Sequence, residues 1–448
     1  MNNKDSSIDM LHGGLFWKLI IFAFPIALSS MFQQLFNAAD TAVVGKFADA
    51  DALAAVGTNG EIVALLVSLS LGMAVGANVL LAKYIGLNRR DDIQKVTGTA
   101  LIMALVIGVA GAVAGQFIAR PVLVMIHTPE SVLELAVVYL RVYFLGYPAL
   151  LIYDFGSAIL RSKGDSRRPF IILIISGVIN VVLNLIFVIV FNMGVAGVAT
   201  ATDISTLCST VMVLAILFNE DEVFRLDIRN IHVDLNVLAE LLKIGIPAAL
   251  QGAVFCFANI FVQAAVNSFG ATATAGSAIA MNFEYFGYYM ITAFGQAATT
   301  FTSQNYAAGN NERCKRILGL CIVDSIIFSG IIIAPLVVFR YWFSGLFTTD
   351  SEVVIQSVIR IMLILVYEPM CGLYEVPAGY MRGKGSSAIP ALITIIGTCM
   401  LRIVWIETVF SHTHTLQSLF IVFPVSWIVT TVLMSLALLV QKVLRCGE

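Results

Sequence analysis

Apolar stretches of about 20 residues recur along the whole 448-residue chain, and they limit its fold more than any other feature. A helix of that length crosses the hydrocarbon core of a bilayer, where only helices and closed barrels satisfy every backbone hydrogen bond. Charged residues make up 12% of the sequence, against about 25% in ordinary soluble domains. We therefore predict an all-α, polytopic membrane protein. Its twelve expected spans are residues 15–46, 53–82, 97–119, 132–160, 169–191, 194–218, 235–266, 276–305, 317–340, 354–381, 389–410 and 416–441.

The Lys and Arg residues indicate how these spans are oriented. Most of the 26 fall on one side of the predicted spans. Loops rich in Lys and Arg stay in the cytoplasm, and an even number of spans puts both termini on the same side. The sequence thus predicts a protein of the plasma (inner) membrane with cytoplasmic N- and C-termini. Arg89 and Arg168 should face the cytoplasm, and Asp350 and His412 should face outside.

The second half of the chain repeats the first. GYPALLIYD, beginning at Gly146, lies over YEPMCGLYE, beginning at Tyr367, and Pro25 lies over Pro247 at nearly the same offset. Each half has six spans, so the halves share one orientation and are related by an axis along the membrane normal. We predict two pseudo-symmetric six-helix bundles. They are an N-terminal lobe at 1–218 and a C-terminal lobe at 235–448, joined by a cytoplasmic linker at 219–234.

Such a duplication favours a membrane transporter. Parallel-repeat bundles of this kind bind substrate between the repeats and alternate access by rocking. Pro25 and Pro247 remove a backbone hydrogen bond inside the first helix of each half, so they are candidate hinges, a static bend being the alternative. The glycine-rich stretch 379–386 lacks the spacing of a phosphate-binding loop. Transport is therefore expected to draw on an ion gradient.

The first span carries a carboxylate, Asp40, with no basic residue between Pro25 and Gly45. A charge near the bilayer centre costs about 3 kcal/mol on insertion scales, so such residues are functional candidates by default. Gln33 and Asn37 share a helical face with Asp40 and are candidates for a substrate cavity. For these two amides, hydrogen bonding to neighbouring helices is an equal alternative.

Three further polar residues could lie at the depth of Asp40. Asn180 and Asn184 share one face of the fifth span, and Thr202 lies early in the sixth. Together with Asp40 they are expected to meet in the outer half of the first bundle. Carboxylate, amide and hydroxyl oxygens suit a hard cation such as Na⁺, and the carboxyl group could instead carry a proton. Either H⁺ or Na⁺ coupling is open, and no cofactor or further metal is predicted.

Other acids in the spans divide into two groups. Asp154 and Glu375 hold equivalent repeat positions about two turns before Arg161 and Arg382, so we predict structural pairing at an inner gate. Glu284 stands among aromatic residues that could form a cavity for a lipophilic cation. More often, however, such an aromatic cluster only packs in the protein core.

Composition and motifs argue against other classes of protein. A net charge of −2 without a basic cluster disfavours a nucleic-acid partner. Neither HExxH nor GxSxG occurs, so an enzyme is not expected. The seven cysteines are scattered and predict neither a disulfide framework nor a zinc site.

Several segments resemble the multidrug and toxic compound extrusion (MATE) transporters, and the resemblance covers nearly the whole chain. The segments are PIALSSMFQQLFNAADTAVVGKF, LAAVG, LRSKGDSRRP with its second-half partner MRGKGSSAIP, NVVLNLIFV and GVAGVATATDIS. The resemblance implies twelve helices in two lobes and proton- or sodium-coupled export of amphipathic, often cationic compounds. The expected partners are thus a small-molecule substrate and the lipid bilayer, with the chain acting as a monomer.

The resemblance also assigns residues. The family's first-helix acid falls on Asp40, its helix 5 asparagine on Asn180 and its helix 6 threonine on Thr202. The position four after that asparagine is commonly Asp in the family and is Asn184 here, which leaves Asp40 as the proton or cation carrier. Many members also use an acid on helix 7, and this chain has none between Ile244 and Val266.

A flippase for a lipid-linked saccharide or peptidoglycan precursor is the alternative function, because such proteins share the superfamily fold. It would require a basic cavity for pyrophosphate. Among the cations placed within spans, Arg141, Arg360 and Arg402 are scattered along the sequence.

Overall fold

A computed structural model of the protein describes residues 7–220, 224–226 and 233–446, without the side chains of Ala50 and 442–446. The chain is almost wholly helical, and no strand occurs within those ranges. Twelve long helices follow one another, and each overlaps one predicted span over most of its length. Their bounds are α1 Phe16–Phe47, α2 Ala50–Gly86, α3 Arg90–Met125, α4 Glu130–Ser162, α5 Arg167–Val190, α6 Gly194–Phe218, α7 Leu235–Asn267, α8 Ala271–Ala307, α9 Asn311–Val338, α10 Ser351–Gly383, α11 Ala388–Thr413 and α12 Leu416–Gln441.

Eleven of these helices are long and apolar enough to cross a membrane, and α8 is the one outside that group. Its 37 residues rise about 55 Å, well beyond the roughly 30 Å of a hydrocarbon core. The second half of α8 is rich in polar side chains such as Thr299, Thr300 and Gln304, and all three are buried. Because protein covers these groups, they need not face lipid, and the predicted twelve-helix membrane fold is confirmed.

The two repeats end equivalent helices with the same turn. Gly164 after α4 and Gly385 after α10 adopt φ of 100° and 84°, a left-handed conformation that glycine reaches without strain. The Gly164 N–H donates to Arg161 O at 2.9 Å, and the Gly385 N–H donates to Arg382 O at 2.8 Å. The duplicated sequence motifs therefore have the same backbone structure.

Two compact units divide the chain. One consists mainly of Leu28–Ala249, and the other consists mainly of Leu250–Glu448 together with Asp9–Ala27. The start of α1 therefore belongs to the second unit, and the start of α7 belongs to the first. In both helices the change of unit comes about one turn after the proline predicted as a hinge, Pro25 or Pro247.

The division into 1–218, 219–234 and 235–448 stays a prediction. The compact units differ from it at the starts of α1 and α7. Of the linker, residues 221–223 and 227–232 lie outside the described residues.

Irregular turns interrupt the helices of the second unit. α10 contains a π turn at Ile361–Leu365 and a 3-10 turn at Glu368–Cys371, and α11 contains π turns at Ile395–Met400 and Ile406–Phe410. A π turn inserts a residue into the regular hydrogen-bond pattern and often occurs at a functional site, whereas a 3-10 turn tightens that pattern. The π turn at Ile395–Met400 ends two residues before a buried arginine, Arg402.

Candidate functional site

In the first unit, α1, α5 and α6 bring the four predicted ion-site residues into one hydrogen-bonded chain. The Asn184 amide donates to the Asp40 carboxylate and, over 3.3 Å, to Asn180 Oδ1. Asn180 in turn donates to Thr202 Oγ1 over 3.3 Å. The helical spacing of Asn180 and Asn184 places both amides on one face of α5, where they join Asp40 to Thr202.

This chain of hydrogen bonds leaves oxygen atoms available to a cation. Asn184 is 1% exposed, and its Oδ1 has no hydrogen-bond donor among the described residues. A buried amide oxygen without a hydrogen-bond donor costs about 1–3 kcal/mol. A cation bound to this oxygen would therefore be stabilising. In the described part of the chain no salt bridge joins Asp40 to a basic side chain. The site therefore offers oxygen ligands around an uncompensated carboxylate.

Two residues near this site were not assigned to it from the sequence. Tyr139 of α4 is buried, and it lies within electrostatic range of both Asp40 and Asp203. Asp203 accepts a hydrogen bond from the Gly146 backbone N–H, and a Cβ at Gly146 would overlap its carboxylate. The helical spacing of Tyr139, Tyr143 and Gly146 on α4 was a sequence signal for this face.

Gln33 and Asn37 precede Asp40 on α1. Gln33 is half-buried and Asn37 is exposed in the structure. Within the described ranges, neither side chain makes a hydrogen bond to protein. Both amides are thus available to a ligand, and their assignment to a substrate cavity stays a prediction.

Glu284 of α8 forms a close ion pair with Arg360 of α10. Arg360 Nε lies 2.6 Å from Glu284 Oε1, and its Nη2 lies 2.8 Å from Oε2. The remaining Nη1 donates to Ser277 Oγ at 2.5 Å. This bidentate geometry is the strong form of an arginine–carboxylate contact. The carboxylate is therefore already neutralised, and any substrate cavity at Glu284 would include Arg360.

The acids predicted at an inner gate have polar partners within their own units. Ser70 Oγ donates to the Asp154 carboxylate at 2.6 Å, and Arg161 acts on the same carboxylate electrostatically. In the second unit, Arg382 Nη1 lies 3.5 Å from Glu375 Oε1. The equivalent acids thus each interact with the equivalent arginine. Their role at a gate stays a prediction.

Comparison with known proteins places the whole chain in a family. The family model MatE matches residues 25–186 and again residues 247–406, which together exceed half of the chain. "Probable multidrug resistance protein YoeA" of Bacillus subtilis (strain 168) is 27% identical over 387 residues, covering 85% of this chain and 84% of the relative. "Probable multidrug resistance protein YpnP" of the same organism is 28% identical over 403 residues, covering 88% of each.

Solved structures share the fold. "Crystal structure of MATE in complex with MaL6" superposes with a TM-score of 0.90 and 22% identity, covering 97% of both chains. The double match of the family model also follows the internal duplication, since each half of the chain contains one match. The family consists of transporters and not of enzymes. This chain therefore belongs to the MatE family of membrane transporters for small molecules.

Proposed function

We propose that the protein is a cation-coupled antiporter that exports amphipathic, often cationic compounds, with Asp40 as the carrier of the coupling ion. The observation that carries this proposal is the hydrogen-bonded chain from Asp40 through Asn184 and Asn180 to Thr202. The names of two relatives, each named as a "Probable multidrug resistance protein", support export of drugs.

The surroundings of Asp40 explain why an ion is needed. Its neighbours in the chain of hydrogen bonds are amides and a hydroxyl group, none of which neutralises a carboxylate. An uncompensated charge within a membrane is costly, so the carboxylate must either take up a proton or bind a cation that balances its charge. A hard cation such as Na⁺ would find oxygen ligands on Asp40, Asn184 and Thr202.

Coupling also requires two conformations with different affinities for the ion. α1 carries both Asp40 and Pro25, and it belongs to both compact units. A change of helix direction at Pro25 would therefore change the angle between the start of α1 and the rest of the helix, which carries Asp40. We propose Pro25 and its repeat equivalent Pro247 as the hinges of alternating access.

Proteoliposome flux tests the proposed function. Purified protein is reconstituted with ethidium as a cationic substrate, and pH and sodium gradients are imposed separately. We expect uphill ethidium movement driven by one of the two gradients and no uphill movement without a gradient. Transport that is indifferent to both gradients would refute antiport.

The hinges give a prediction about rate. Pro25→Ala and Pro247→Ala restore a backbone N–H donor, so each helix should straighten and ethidium export should slow several-fold. Pro335→Ala in α9, which lies within the second unit, is the matched control and should leave the rate unchanged. Ethidium binding should be retained in all three variants. Parental rates in the first two would indicate a static bend.

The orientation gives a second prediction. Single cysteines at Arg89 and at His412, in a background without native cysteines, should react differently with a membrane-impermeant maleimide on intact cells. The positive-inside rule places position 89 in the cytoplasm and position 412 outside. Labelling of position 89 from outside, or protection of position 412, would contradict cytoplasmic termini.

A further inference from the structure

Arg402, in the middle of α11, is buried without adequate compensation. Only 1% of its surface is exposed, and it is the largest of the fully buried side chains in the described residues. Its Nε donates to Ser426 Oγ across a long 3.4 Å. Both N–H groups of Nη1 have no acceptor in the described part of the protein. A guanidinium has five donors, so much of its hydrogen-bonding capacity is unused.

Aromatic rings flank this guanidinium. The ring centroid of Phe423 on α12 lies 4.1 Å from Arg402 Cζ, and that of Phe255 on α7 lies 5.7 Å away. A cation–π contact contributes about 0.5–2 kcal/mol. Burial of an ion costs several kcal/mol even after the protein relaxes. The rings therefore position the guanidinium but do not neutralise it.

The other arginines in the core of the second unit have acidic partners. Arg360 pairs with Glu284, and Arg382 pairs with Glu375. Among the described residues no carboxylate oxygen lies within 4.0 Å of Arg402. Glu368 is in the electrostatic field of Glu284 and Arg360, and the groups that act electrostatically on Arg402 are tyrosines and cysteines. Of these three arginines, Arg402 alone lacks a carboxylate partner among the described residues.

We propose that Arg402 binds the acidic group, a carboxylate or a phosphate, of compounds that the transporter exports. The inference rests on the proposed function, because it assigns a substrate class to that transporter. Intramembrane ionisable residues usually lie on substrate or ion pathways, and the planar fork of arginine matches carboxylate and phosphate oxygens. Phe255 and Phe423 flank the apolar body of the bound compound. The adjacent π turn at Ile395–Met400 is a further mark of a functional site.

Binding by small probes tests this site without requiring transport. Purified full-length protein is titrated with benzoate, or with its neutral analogue benzamide, in a buffer free of carboxylates, phosphate and chloride, and the melting temperature is measured. A ligand that binds the folded state raises that temperature. We expect saturable stabilisation by benzoate and at least tenfold weaker binding of benzamide.

Substitutions of Arg402 test whether benzoate binds through this side chain. Arg402→Gln should weaken benzoate at least tenfold, to the level of benzamide, and Arg402→Lys should retain part of the difference because the charge remains. Arg141→Gln, an exposed arginine in a helix of the first unit, is the matched control and should bind as the parent does. Equal benzoate affinity in Arg402→Gln and the parent would overturn the proposal.

The parent protein decides the question even if Arg402→Gln fails to fold. Equal stabilisation by benzoate and benzamide, or by neither, overturns the proposal. Stabilisation by chloride alone also overturns it, because the occupant would then be an inorganic ion. A parent that binds benzoate through Arg402 but moves no ethidium under either gradient would refute the proposed antiport and leave the Arg402 site standing.

Discussion

Asp40→Asn is expected to abolish gradient-driven ethidium export while the variant still folds and inserts into the membrane. The substitution keeps the shape of the side chain, and the new amide can still bond to Asn184. It removes both the negative charge and the proton-binding group, so neither H⁺ nor Na⁺ can be carried. Flux in proteoliposomes under each imposed gradient measures the loss.

Stability distinguishes this loss from misfolding. Removal of an uncompensated buried charge should leave the melting temperature equal to or above that of the parent. Ethidium binding should also survive, because the proposal assigns Asp40 to the ion and not to the substrate. Asp51→Asn, at the exposed N-terminal turn of α2, is the matched control and should transport normally. Parental export by a folded Asp40→Asn protein would refute the role of Asp40.

A substitution at the same site distinguishes H⁺ coupling from Na⁺ coupling. Asn184→Asp places a second carboxylate in hydrogen-bonding distance of Asp40. For Na⁺ coupling, the added charge should tighten sodium binding and lower the sodium concentration at half-maximal flux. For H⁺ coupling, two interacting carboxylates titrate as a pair, so the pH dependence of flux should change instead.

The helices, and the grouping of Asp40 with Asn180, Asn184 and Thr202, could be predicted because the local sequence pattern determines them. A bilayer forces long apolar segments into helices, so length and hydropathy identify each span. Asn180 and Asn184 share a face at any helix rotation, since their spacing is four residues. The depth of Asp40 and Thr202 in their spans then allows only a small region in which the four can meet.

The polar pairs of the second unit could not be predicted by the same means. Glu284 and Arg360 are 76 residues apart, and their contact depends on which faces of α8 and α10 pack together. The 3-10 and π turns in α10 shift its faces, which regular helical spacing does not anticipate. Likewise, the burial of Arg402 between Phe255 and Phe423 depends on the packing of three helices.

Glu284→Gln is expected to destabilise the folded protein by about 3–5 kcal/mol, the usual effect of removing one partner from a buried ion pair. Only 4% of the Arg360 side chain and 13% of the Glu284 side chain are exposed, so solvent cannot replace the lost carboxylate. The melting temperature of purified protein, and the fraction that inserts into the membrane, measure the effect. Glu312→Gln breaks an exposed pair with Lys315 and should change stability little.

A double variant separates a structural pair from a substrate site. Glu284→Met with Arg360→Met removes both charges, and apolar replacement of a buried pair is often neutral or stabilising, so most of the lost stability should return. If the pair serves only the fold, this double variant should export ethidium at the parental rate. If Glu284 contributes to a cavity for cationic substrates, the double variant should be stable and yet export ethidium poorly. A single Glu284→Gln variant as stable as the parent would contradict the structural role, because Arg360 would then tolerate burial without its carboxylate.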